Sequence, residues 1–163
     1  RMSRGLGDVY KRQGLIEDGA SRLGIRIITA MQNDASKFNA ELPQADRVLC
    51  DVPCSGLGDI RRKPEIKFKS PSDFDGLPEI QYQILETSAR YVKPGGTLVY
   101  STCTLSRAEN DEVAKRFAAA HPEFLPIVQP VPYAEAAGDP TRTYCPDENG
   151  GDGFFTASFR RVK

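Results

Sequence analysis

The chain has 163 residues, 39% of them apolar and 27% charged, which suits one globular domain with a core and argues against a fibrous or wholly disordered chain. Twenty-two basic and twenty-two acidic residues cancel, so affinity for a polyanion has to come from a local patch rather than from the global field. No apolar run approaches the roughly 18 residues of a membrane span and no signal-peptide pattern is present; the expectation is a soluble, cytoplasmic protein.

Residues 1 to 13 show neither a helical nor a strand period and carry four basic side chains. They read as a foreign or disordered arm, with the domain proper beginning at Gly14. From there Leu15, Ile16, Ala20 and Leu23 share one helical face and Gly24 is placed to stop the helix. Ile25 to Ala30 reads as a strand leading to Asn33 and Asp34. A connection interrupted by Pro43 precedes a second strand, Arg47 to Asp51.

After Gly56 the chain is irregular and basic: Arg61, Arg62, Lys63, Lys67 and Lys69 fall within nine residues, with Phe68 among them. Such a run usually forms a solvated surface loop. Basic side chains interleaved with an aromatic one also suit a polyanion with exposed bases. Pro78 opens a helix with apolar positions Leu77, Ile80, Ile84 and Tyr91, ended by Lys93-Pro94-Gly95-Gly96, and Thr97 to Ser101 is a strand.

Strand, helix, strand at this spacing is a parallel crossover, so the Val48 and Leu98 strands run the same way and their trailing residues emerge at one edge. Ser106-Arg-Ala-Glu109 has the form of a capping box, which starts a helix close to Cys103 that carries Val113 and Phe117 inward as far as His121-Pro122. Phe124 to Val128 reads as a strand, residues 129 to 149 as a loop, and Gly153 to Arg160 as a closing strand.

Ligands of open α/β sheets bind beyond the carboxyl ends of the strands. Asp51, Cys54 and Cys103 all stand there. A thiol at a strand end and beside a helix start is in the setting that lowers its pKa from about 8.5 and makes it a nucleophile. Cys50 and Cys145 read as small buried side chains. All four cysteines read as reduced, and no metal is expected, because Cys50 and Cys54 are spaced C-x3-C, the other two are isolated and His121 is the single histidine.

Together Asp51-Val-Pro-Cys54-Ser-Gly56, Arg61-Arg-Lys-Pro-Glu-Ile-Lys67, Pro94-Gly-Gly96, Tyr100-Ser-Thr-Cys103-Thr-Leu105 and Asn149-Gly-Gly-Asp-Gly-Phe-Phe155 resemble the RNA cytosine-5 methyltransferases. The likeness is greatest to the bacterial Sun (RsmB) type that acts on small-subunit ribosomal RNA. It covers about residues 14 to 163 in the right order.

The resemblance implies an α/β, Rossmann-like sheet that uses S-adenosyl-L-methionine. By the family pattern Cys103 is the nucleophile that adds to carbon-6 of cytosine, Cys54 assists loss of the carbon-5 proton, and Asp51 lies by the ring-nitrogen edge and the cofactor. Asp34 matches the acid near the cofactor adenine. In the basic loop read above, Arg61, Arg62, Lys63 and Lys67 are the candidate RNA contacts. The implied partner is RNA, ribosomal RNA in particular, and a monomer is expected. The family's glycine-rich cofactor loop, its acid after the second strand and its amino-terminal RNA-binding domain have no counterpart in the sequence. The expectation is therefore a carboxyl-terminal part of the catalytic domain, inactive by itself. A non-catalytic fragment or RNA-binding module is the alternative, separated by a cofactor titration.

Overall fold

A computed structural model describes residues 6 to 128 and 140 to 163. The chain divides into two compact units, Arg1–Asp34 and Ala35–Lys163. In the first, α1 spans Leu6–Arg22. Gly24 closes it with φ 67° while the Ile25 amide donates to the Ala20 carbonyl and the Gly24 amide to Ser21, the left-handed ending that glycine permits. The helix therefore runs back through residues read as an irregular arm. Ile25 to Ala30 forms no strand. Ile27 is exposed and among the described residues no strand pairs with this segment, so β-propensity alone has nothing to act on.

The second unit is a five-stranded sheet. In chain order it contains β1 (Ala45–Asp51), α2 (Leu77–Ala89), β2 (Val92–Thr102), α3 (Asp111–Ala120), β3 (Phe124–Pro126), β4 (Thr141–Tyr144), the short α4 (Pro146–Asn149) and β5 (Phe154–Arg161). The order across the sheet is β1-β2-β5-β3, with β4 also pairing β5. β1 and β2 are parallel, with Val48 opposite Leu98 and Asp51 opposite Ser101, as the crossover requires. β5 is antiparallel to β2, β3 and β4. Residues 129 to 139 lie outside the described residues. The remainder of the segment read as a loop holds β4 and α4, whose strand is recruited by pairing to β5.

One face of the sheet is built to be covered. Leu98 and Tyr100 of β2, Phe155, Ala157 and Phe159 of β5, and Cys50 of β1 meet Tyr82, Leu85 and Ala89 of α2 and Val113, Ala114 and Phe117 of α3. The alternation of a strand and the 3.6-residue repeat of a helix put these residues on facing surfaces. Full burial of each large apolar side chain stabilises by about 1.5–3 kcal/mol. The inward face of α2 is offset from the expected one: Gln81, Tyr82, Leu85 and Ala89 are buried, while Ile80 and Ile84 are only partly so. Tyr91 lies past the helix and stacks on Phe38 at 5.1 Å between ring centroids. Among the described residues β1 stands at the end of the strand order, and its Leu49 is 70% exposed.

β2 starts earlier than expected, at Val92, and absorbs Pro94-Gly95-Gly96 as an irregularity in its pairing with β1. Gly95 has φ 78°, a conformation that side chains disfavour. α3 begins later than the capping-box reading places it. Residues 107 to 110 form turns, Asn110 is the N-cap, and the Glu109 side chain points elsewhere.

Candidate active site

The two parallel strands end side by side, and the Val52 amide still donates to the Ser101 carbonyl at 3.2 Å beyond the last paired residues. Pro53 cannot donate a ladder hydrogen bond, and Gly56 turns the chain with φ 74°. The second strand turns out at Cys103. The Gly58 amide then donates to the Cys103 carbonyl at 3.0 Å, tying the two turns together. As a result the Cys54 and Cys103 sulfurs lie 3.0 Å apart.

Both thiols are partly buried. Burial first, and then the hydrogen bond to the Cys103 side chain, push Cys54 up to about 12. The two sulfurs are within hydrogen-bond distance of each other, and either can be the donor. Burial pushes Cys50 up to about 11, and that residue is part of the core. The expected helix start next to Cys103 is displaced, since α3 begins only at Asp111; an adjacent helix dipole is not what acts on this sulfur, because such effects fade within a turn.

Asp51 is exposed at the end of β1 and accepts a hydrogen bond from the Ser101 hydroxyl at 2.9 Å. A carboxylate at the carboxyl end of a strand fits the hydroxyl and amino groups of an adenosyl ligand. Asp34 is the last residue of the first unit, with no strand before it among the described residues.

The basic loop is built from short 3₁₀ turns, Leu57–Asp59 and Pro64–Phe68. Ile66 anchors it in the interior while its neighbours are exposed, Phe68 by 88%. Arg62 pairs with Asp152 at 2.6 Å, Arg61 meets the same carboxylate at 3.7 Å, and Lys63 pairs with Asp59 at 3.0 Å. Lys67 stands exposed beside Phe68.

Four residues at this edge carry weight that the sequence reading did not give them: Ser55, Gln81, Glu109 and Asn110, all buried. The spacing of Ser106 and Glu109 points to a capping box, whereas Asn110 is the N-cap and Glu109 is buried. Gln81 did leave a signal, because a polar residue on the inward face of an amphipathic helix needs a partner.

The model of the 16S rRNA methyltransferase RsmB/F family matches residues 8–160. The probable ribosomal RNA small subunit methyltransferase B of Bacillus subtilis is 45% identical, the match covering 94% of this chain and 36% of that protein. The ribosomal RNA small subunit methyltransferase B of Thermus thermophilus is 41% identical over 88% of this chain and 35% of its own length. A crystal structure of NSun6 from Pyrococcus horikoshii with SFG superposes with a TM-score of 0.80 at 28% identity, covering 94% of this chain and 39% of that one. The chain thus spans about a third of the length of these curated relatives. Its sheet is of the Rossmann-like, methyltransferase class expected from the sequence, and the chain belongs to the 16S rRNA methyltransferase RsmB/F family.

Proposed function

We propose that the chain carries the thiol chemistry of an RNA cytosine-5 methyltransferase acting on small-subunit ribosomal RNA, with Cys103 as nucleophile and Cys54 as the group that releases the product. The observation that carries this reading is the 3.0 Å approach of the two sulfurs at the ends of adjacent parallel strands. The named relatives, methyltransferases of ribosomal RNA, support the substrate class. SFG in the NSun6 structure, an S-adenosylmethionine analogue, supports the cofactor.

An unactivated cytosine is a poor methyl acceptor, and a transient covalent bond divides one hard step into easier ones. The Cys103 thiolate adds to carbon-6, forming a carbon–sulfur bond and moving the C5=C6 electron pair toward carbon-5. Asp51, at the ring-nitrogen edge, stabilises the adduct. Asp51 would hold the adenosyl part of S-adenosylmethionine, which would supply a methyl group from its sulfonium sulfur to the carbon-5 electron pair. With Cys54 assisting, the carbon-5 proton is lost to solvent, the C–H electron pair re-forms the C5=C6 bond, and the carbon–sulfur bond at carbon-6 breaks so that Cys103 leaves as thiolate.

Addition and release are separate steps, and the 3.0 Å approach of the two sulfurs lets one bound base reach both thiols. RNA contact falls first to Lys67 and Phe68. Arg61, Arg62 and Lys63 can exchange their carboxylates for phosphates, because exposed ion pairs are worth only about 0–1 kcal/mol.

The test uses a chain with the amino-terminal portion of the Bacillus subtilis relative fused ahead of it. Cys54→Ala is expected to accumulate a protein–RNA adduct that survives denaturing gels, and Cys103→Ala to form none. Adducts with Cys103→Ala alone reverse the two roles; trapping by neither variant rejects the covalent reading and favours a non-catalytic module.

A further inference from the structure

Each active-site thiol sits in a turn, and the residues flanking both thiols are held from one place in the chain. Ser55, next to Cys54, donates its backbone amide to Glu109 Oε2 at 2.8 Å and its hydroxyl to Glu109 Oε1 at 2.6 Å. Pro53, on the other side of Cys54, has its carbonyl held by Gln81 Nε2 at 2.9 Å, and the same nitrogen donates to Glu109 Oε2 at 2.9 Å. The next residue, Asn110, holds the other turn. Its Oδ1 accepts from the Thr102 hydroxyl at 2.6 Å and its Nδ2 donates to the Thr104 carbonyl at 2.9 Å, the two residues that flank Cys103.

We infer that Glu109 and Asn110 are a brace that sets the distance between the two thiols: positioning residues, each gripping the turn of one cysteine. This rests on the two-thiol reading proposed above. Being adjacent in the chain, they hold the two turns at a fixed separation. The Glu109 carbonyl is itself pinned by the Tyr100 hydroxyl at 2.6 Å, and a hydrogen bond of 2.7 Å between the Ser55 and Thr104 hydroxyls closes the loop of contacts.

Packing alone does not account for these residues. Glu109 is 3% exposed and Gln81 fully buried; the Gln81 Oε1 atom finds no hydrogen-bond partner among the described residues. Leaving a buried acceptor without a partner destabilises the fold, a cost that a leucine at this inward position avoids. What Gln81 supplies in return is a nitrogen able to join Pro53 to Glu109.

Thiol spacing can be read without RNA or cofactor, in the 163-residue chain, from its equilibrium with glutathione disulfide. One thiolate displaces glutathione to give a mixed disulfide and the second displaces the other glutathione, so each Cys54–Cys103 disulfide releases two glutathione thiols. Peptide mapping quantifies that bond. In the native chain the effective thiol concentration is expected to exceed the urea-unfolded value by at least about a hundredfold. Glu109→Gln puts a donor where carboxylate oxygens now accept, and Asn110→Ala removes the grip on the Cys103 turn. Each is expected to lower the native value by about tenfold or more. Val113→Ala, a core change on α3 outside the brace, is expected to lower the melting temperature and leave the thiol value in place.

Native and unfolded values that coincide, unchanged values in both brace variants, or an equal loss in Val113→Ala each overturn the brace. In the fused enzyme the variants separate by direction: Glu109→Gln loosens the Cys54 turn and raises trapped adduct, whereas Asn110→Ala loosens the Cys103 turn and lowers it. Equal effects there reject the division of labour. An altered thiol equilibrium together with no adduct in any variant rejects the methyltransferase mechanism and leaves the brace standing.

Discussion

Ser55 and Phe68 sit in neighbouring stretches of chain and are held in opposite ways. Ser55 is buried, with amide and hydroxyl both engaged by one carboxylate. Phe68 is almost entirely in solvent, and from Arg61 to Lys69 Ile66 is the single buried residue. Chemistry that depends on placing two sulfurs to a fraction of an ångström is assigned to turns whose polar groups are fixed. The proposed recognition of RNA falls to exposed side chains that can reach phosphates and bases. A substitution in the first region should register as lost stability or altered thiol behaviour, one in the second as weaker RNA binding with the fold intact.

The largest test of that difference is Gly58→Ala. A Cβ there would overlap the Gly153 carbonyl oxygen, and backbone rather than a flexible side chain would have to yield. A loss of about 3–5 kcal/mol is expected, read by denaturant titration. A loss below about 1 kcal/mol would show that this edge gives way like the loop.

Next is an alkaline effect from the core. Burial raises Cys50 above the ordinary thiol range, to about 11, so the folded state holds a proton that the unfolded state releases. Its contribution is complete below pH 9 and declines as pH rises toward 11, by about 3 kcal/mol in all. Cys50→Ala should lower stability at neutral pH and flatten the fall in that window. An unchanged slope would remove Cys50 from the account.

Phe68→Ala in the fused enzyme is expected to weaken RNA binding by about 1–2 kcal/mol, the loss of one stacked base, with melting temperature unchanged. Smallest is Lys67→Ala, which should reduce the salt dependence of RNA binding by close to one unit of slope and move stability by no more than about 0.5 kcal/mol. Destabilisation by either change would erase the contrast between the two regions.

The sequence made the parallel pair and its trailing thiols legible because both signals are local. Apolar runs of the right length and a crossover of the right size place Val48 opposite Leu98, and Cys54 and Cys103 follow from there. What it hid depends on contacts distant in the chain. Ile25 to Ala30 has strand residues but nothing to pair with, and Thr141 to Tyr144 has weak strand character but gains a partner in β5. Ser106 to Glu109 fits a capping box by spacing, yet Glu109 is drawn inward because Ser55 and Gln81 offer three donors to its carboxylate. Local propensity lost to a buried charge-assisted network.

The position of β5 in the sheet has a consequence for the order of events during synthesis. It follows the other four strands in the chain, yet lies inside the sheet between β2 and β3, and Gly153, just ahead of it, donates to the Gly58 carbonyl beside the thiol turns. A nascent chain that has already emerged through Cys103 and Glu109 still lacks the strand that covers β2. Long-range pairing of this kind closes late. The thiols are therefore translated well before the sheet that holds them can be completed, and a ribosome stalled ahead of Phe154 would leave them on an unfinished edge.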